Sequence, residues 1–367
     1  MKTLDSHDNT NKNHRAQMGI IGLGTQGLII NTHERKWEEQ FLGGDALAYV
    51  NSLAIETADS SRNYSVSRGQ GFPATSLPNE NVIILKEHST RELASNARRF
   101  STTRRYAEKL DLLPDVTTLE GAGGHKILSM TAILAELPTV DQGIRKIMTA
   151  EMDRCRYNAR CDEGSATSTA ECLDIYLVGS LYGSTFAGSV VLIASRVHHI
   201  AKLLGIKVNV HVIATTPSVA QTHDPLSAWA NFGATCKELM LAQDDASKIV
   251  FHDFCGNTIS HPARARLLES VVFWGCSTGQ LVAGDRDEVA SSIGLLLFYL
   301  AHSKLGGLSS ASFCDAQKTM LDRSLGFRGV GRVGIARFAI NRDSNREVAF
   351  NSALKAISRM ISPDCKN

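Results

Sequence analysis

Short apolar runs punctuate this chain at intervals. Residues 18–21, 47–55, 82–85, 175–178, 208–214 and 271–274 each read as a strand buried on both faces, because continuous apolar segments of this length suit a covered parallel sheet. Between them, apolar positions recur at helical spacing over residues 27–39, 89–109, 126–137, 140–157, 187–204 and 226–242. This alternation predicts an α/β fold, a mostly parallel sheet flanked by helices. Residues 287–303 predict a further helix, apolar at Val289, Ile293, Leu296, Leu297 and Leu300 and so buried on most sides. A strand at 332–340 and a helix at 346–361, ending near Pro363, complete the pattern. The expected organisation is a disordered polar tail over 1–16, a main domain over 17–286, a central helix over 287–304 and a reduced C-terminal domain over 305–367.

Three of the turns in this pattern are rich in small residues. After the first strand comes Gly22-Leu-Gly24-Thr25-Gln26-Gly27, and after the 175–178 strand comes Gly183-Ser184-Thr185-Phe-Ala-Gly188. Gly121-Ala122-Gly123-Gly124 precedes the 126–137 helix. The start of a helix offers unpaired backbone N–H groups and the positive end of its dipole, and small residues let a phosphate approach the backbone. One such turn occurs often by chance, whereas three at wide intervals point to one phosphate-bearing ligand held from several sides.

Composition narrows the partners. The 367 residues are 43% hydrophobic and 21% charged, with 39 basic against 37 acidic side chains, so no overall field favours nucleic acid or a membrane surface. The basic run 98–105 reads as a solvated helix face. No apolar run approaches the ~18 residues of a membrane span, and the polar start lacks the apolar core of a signal peptide. A cytoplasmic protein is expected. Its eight cysteines are scattered without paired spacing and read as reduced thiols. No metal site is expected: the spacing of Cys155, Cys161 and Cys172 is unlike a zinc knuckle, and the neighbours His198 and His199 face different sides of a helix.

Taken in order, these motifs resemble the tubulin/FtsZ superfamily, and within it the bacterial tubulin-like proteins. Gly22-Leu-Gly-Thr-Gln-Gly27 stands where that family has its first glycine loop, and Ile55-Glu56-Thr-Ala-Asp59 where its second strand ends. Residues 121–124 match its GAGG turn, and Gly183, Thr185 and Gly188 match its signature loop. Ala230-Asn231, followed by Glu238-Leu239, is similar to a family helix whose asparagine contacts guanine. Residues 330–336 resemble the strand after the central helix. The resemblance implies a guanine-nucleotide-binding domain over 17–286, GTP or GDP with Mg2+ as ligand, and self-association into filaments or a protein partner.

Its departures imply a degenerate, regulatory or scaffold member with weak or no GTPase activity. Ser184 and Phe186 replace two signature glycines, and a phenyl ring there either points away from the loop or fills the phosphate space. Residues 276–279 carry no asparagine for a second guanine contact. Asp315 and Asp322 are the only acids placed to orient an attacking water after the central helix. The alternative is an NAD(P)-dependent oxidoreductase, since Gly22-x-Gly24-x-x-Gly27 also fits the Rossmann fingerprint with Glu56 as a ribose ligand. Glu56 lies 29 residues beyond Gly27, farther than the usual ~20.

Overall fold

Six consecutive buried residues, Met18–Leu23, form β1 near the middle of the sheet, and α1 (Gly24–Phe41) starts at the very next residue. In chain order there follow β2 (Asn51–Glu56), β3 (Val82–Ile84), α2 (Thr90–Ala97), α3 (Arg104–Leu110), α4 (Lys126–Ala135), α5 (Leu137–Cys161), β4 (Leu173–Ser180) and α6 (Ser184–Leu204). Then come β5 (Val208–Thr215), α7 (Pro225–Gln243), β6 (Val250–His252), β7 (Thr258–Ser260), β8 (Ser270–Trp274), α8 (Arg286–His302) and β9 (Val330–Arg332). The computed structural model describes residues 17–42, 49–61, 63–68, 72–118, 122–161, 172–216, 225–243, 250–261, 267–274, 286–302 and 330–332. All of them lie in one unit bounded at Val333.

The main sheet runs β3-β2-β1-β4-β5-β8-β9, and every neighbouring pair is parallel. The α/β expectation is met, and the strand register explains the unbroken apolar runs. Ile21, Leu23, Ile175 and Leu177 face one core, shared with α4, α5 and α6. Ile20, Tyr176 and Val178 alternate onto the opposite face, where Ala290, Ile293, Leu297 and Ala301 of α8 cover them together with Ile29 and Ile30 of α1. Gly294 allows α1 and α8 to meet closely, because a Cβ there would lie 2.7 Å from the backbone nitrogen of Glu34.

Two features of the described residues differ from the sequence pattern, while the tail over 1–16, the strand expected over 332–340 beyond Arg332 and the helix expected over 346–361 lie outside the described residues. The single helix expected over 89–109 is two, α2 and α3, because the Thr103 hydroxyl turns back to donate to the Ala97 carbonyl at 2.6 Å and breaks the helical run. Residues 250–260 form an antiparallel hairpin that the periodicity missed, its turn held by the Asp253 carboxylate, which accepts from the Asn257 backbone N–H at 2.7 Å. Among the described residues, α6 alone has the length and apolarity of a membrane span, and 67% of that stretch is buried inside the fold. Of the described cysteines, Cys172, Cys236 and Cys255 are free thiols.

Candidate functional site

Between β1 and β4 the order of the strands reverses, and ligands of open parallel sheets bind beyond the carboxyl ends of the strands at such a point. Here β1 feeds α1 and β4 feeds α6. The N-cap of α1 is Leu23 and that of α6 is Gly183; neither supplies a capping side chain, and neither helix has an acid in its first turn. The first-turn amides of two neighbouring helices therefore lack both helical acceptors and capping side chains.

The turns touch. Gly24 has φ +74°, and a Cβ there would lie 3.1 Å from the Cβ of Thr185 and 3.8 Å from the backbone nitrogen of Phe186. The hydroxyls of Thr57 and Thr185 are hydrogen-bonded at 3.0 Å across 128 residues of sequence. Thr25 donates to Glu56 Oε2 at 2.6 Å, with the Ser61 hydroxyl 3.3 Å from the same oxygen of Thr25. Glu56, 2% exposed, accepts on its other oxygen from the backbone N–H groups of Thr57 and Ala58 at 2.7 and 3.2 Å. The ends of β1, β2 and β4 are thus one hydrogen-bonded assembly.

A second set of links brings in α4 and α7. Asn231 Nδ2 donates to the carbonyls of Gly124 at 2.8 Å and Tyr182 at 3.2 Å, joining α7 to the turns that precede α4 and α6. Gly124 has φ +80°, and a Cβ there would lie 3.2 Å from the Ser227 hydroxyl at the start of α7. Lys126, the first residue of α4, pairs with Glu238 of α7 at 2.6 Å. Burial pulls its pKa below the usual lysine range against the opposing pull of that carboxylate. Leu239 is fully buried in the core, so the two halves of the Glu238-Leu239 motif divide into an ion pair and a packing residue.

The residues singled out from sequence separate into three groups. Gly24, Thr25, Glu56, Gly124, Thr185 and Asn231 converge as described, with Gly123 (φ +52°) in the same turn as Gly124 and the exposed Asp59 opening a short 3-10 turn beside Ser61. Gly22 and Gly27 instead face each other: a Cβ on Gly22 would lie 2.5 Å from the Gly27 carbonyl oxygen, and one on Gly27 would lie 2.7 Å from the Val178 carbonyl oxygen. They let α1 press on the sheet. Gly188 likewise faces α4, where a Cβ would lie 3.2 Å from the Met130 nitrogen, and Gln26 and Ala122 are buried. Gly121, Asp315, Asp322 and residues 276–279 lie outside the described residues.

The Phe186 ring points away from the loop and into the core rather than into the phosphate space. It is 1% exposed and packs over Gly179, where any Cβ would collide with it. Gly183 and the partly exposed Ser184 stand at the open start of α6, so the ring does not fill the space between the turns. Sequence reasoning missed Thr57, Ser61, Tyr182 and Lys126. The cluster of hydroxyls between Glu56 and Ser61 was the available signal for the first two. Tyr182 acts through its carbonyl, which leaves no trace in residue type.

A family model described as "Tubulin like" matches residues 20–259, a stretch of 240 of the 367 residues that contains every one of these contacts. Among solved structures, CetZ from Methanosaeta thermophila strain DSM 6194 aligns with 83% of this chain and 60% of its own, at 11% identity and a TM-score of 0.44. CetZ1 from Haloferax volcanii, described as a GDP-bound monomer, aligns with 83% of this chain and 71% of its own, at 10% identity and a TM-score of 0.41. A GTPγS-form protofilament of TubZ from Bacillus thuringiensis serovar israelensis aligns with 78% and 56%, at 13% identity and a TM-score of 0.38. The chain spans about 60% of the length of the first of these structures. No curated protein matches the sequence.

Proposed function

The chain belongs to the tubulin-like family, and from that premise we propose that it binds a guanine nucleotide whose phosphates lie across the N-termini of α1 and α6. The observation that carries the reading is the contact of Gly24 with Thr185, which sets two uncapped helix starts side by side. Backbone N–H groups of both first turns would donate to phosphate oxygens, and the start of α4 after Gly123 and Gly124 would add a third set of donors. The hydroxyls of Thr185, Thr57 and Thr25 line the same floor. Mg2+ accompanies the phosphates as their counterion.

Asn231 is the proposed base contact, with guanine taken from the family. Both N–H donors of its amide are committed to backbone carbonyls, so its Oδ1 is left as an acceptor. A base edge that donates, as the N1–H and N2–H2 of guanine do, complements that oxygen. The Rossmann reading is disfavoured by Glu56, which is 2% exposed and whose two oxygens already accept from Thr25, Thr57 and Ala58. Asp315 and Asp322 remain the proposed water-orienting carboxylates, with hydrolysis weak or lost. Self-association and a cytoplasmic location belong to the same proposal.

Calorimetric titration of the full chain with GTP, GDP, ATP and NADH tests the reading, followed by phosphate release and sedimentation at high protein concentration with GTP. Binding of GTP and GDP well ahead of ATP and NADH is expected. NADH binding without GTP binding would overturn the proposal in favour of the oxidoreductase.

A further inference from the structure

The other end of α1 carries a different cluster. Glu34 and Glu38 lie one turn apart on the same face of the helix, and both are fully buried. His302, the last residue of α8, meets them: its Nε2 is 3.1 Å from Glu38 Oε1, and one donor atom from each of the three residues lies within 4.8 Å of the others. Ligand atoms around a four-coordinate ion with bonds of about 2.0–2.1 Å stand roughly 3.3 Å apart, a separation that His302 Nε2 and Glu38 Oε1 already have.

Two further observations point to a cation. Glu38 Oε2 is buried without a hydrogen bond, and its ion pair with Arg35 is long at 3.7 Å, the guanidinium being laid over the Tyr49 ring and shared with Glu39. Buried carboxylates are costly unless paired or ligated to a metal. Glu38 and His302 also stand in the last turns of α1 and α8, where carbonyl dipoles favour positive charge.

We propose that Glu34, Glu38 and His302 form a binding site for one divalent transition-metal ion of the Zn2+ class, which ties the end of α8 to α1. Two carboxylates and one imidazole suit such an ion, with a fourth position open to water. The site stands about 15 Å along α1 from Gly24, at 1.5 Å per residue, and is independent of the nucleotide proposal.

The full chain, stripped with chelator, is titrated with Zn2+ and Co2+ while thermal unfolding and the visible Co2+ spectrum are followed. One equivalent bound, a higher unfolding midpoint, and Co2+ ligand-field bands without a thiolate charge-transfer band are expected. His302→Ala should weaken binding by at least about 100-fold, since lost second-shell partners alone cost 10–100-fold. Glu34→Gln, nearly isosteric, carries the same test where the first variant fails to fold, and circular dichroism reports which variants are folded. Absence of stoichiometric binding, a thiolate band that assigns the metal to cysteines, or unchanged affinity in the folded variants would overturn the proposal.

Discussion

The turns from β1 to α1 and from β4 to α6 do the same job with different residues. Both end a buried strand, start a helix without a cap and present first-turn amides to the same crevice. The first relies on glycine at three positions, and the structure separates their reasons: Gly24 needs its positive φ, while Gly22 and Gly27 need the space a Cβ would take from backbone atoms. The second tolerates Ser184 and Phe186 because α6 already begins at Ser184, which directs the next side chains into ordinary helical orientations. Phe186 then fills core space that Gly179 leaves open. A glycine count is therefore a poor measure of the proposed phosphate turns, and the backbone trajectory is the better one.

Substitutions sharpen this contrast. Phe186→Ala should lose the most stability, roughly 3–5 kcal/mol for a buried phenyl ring, read by urea unfolding. An unchanged midpoint with tighter nucleotide binding would place the ring in the crevice and break the comparison. Gly27→Ala should cost roughly 1–3 kcal/mol as overpacking against Gly22 and Val178, and unfolding of that variant beside Phe186→Ala tells whether the two turns are built on opposite principles.

The helices that follow the turns offer a pH test. His33 on α1 and His198 on α6 are both held neutral, with pKa values lowered from 6.5 to about 4 mainly by burial. The unfolded chain takes up protons that the native state refuses, so this contribution is intact above about pH 6.5 and is lost as pH falls toward 4. Each histidine steepens the acid limb by up to about 1.4 kcal/mol per pH unit. His198→Gln should flatten the limb while keeping a donor for the Leu267 carbonyl, now 3.0 Å from Nε2.

Smaller effects test the floor of the crevice. Thr185→Val removes the hydroxyl bond to Thr57 and should cost about 1 kcal/mol of stability, with nucleotide affinity falling by a similar free energy, about fivefold. Ser184→Gly should cost only about 0.5–1 kcal/mol as glycine within a helix and leave nucleotide affinity unchanged. A gain in affinity there would mean that the Ser184 side chain obstructs the ligand after all.

The fold was legible because its strands are buried on both faces, so residues such as Ile20 and Ile21 are apolar together rather than alternating. What the pattern hid were local decisions. The break between α2 and α3 depends on one threonine hydroxyl, and the β6–β7 hairpin has strands of three residues, too short to carry a period. At the site, Thr185, Glu56 and Asn231 were readable from motif and position. The inward turn of Phe186 and the locking of Glu56 by Thr25 were not, because each depends on a partner distant in sequence, Glu56 lying 31 residues from Thr25. The pairing of Glu38 with His302 spans 264 residues and has no local spacing at all.

Amide hydrogen exchange of the full chain with and without GTP tests the convergence most directly. The account predicts that GTP slows exchange together in residues 22–27, 56–61, 122–126 and 183–188, the four segments that meet at the strand ends. Protection limited to 22–27, or absent from 183–188 while nucleotide is bound, would contradict a single site built from all of them.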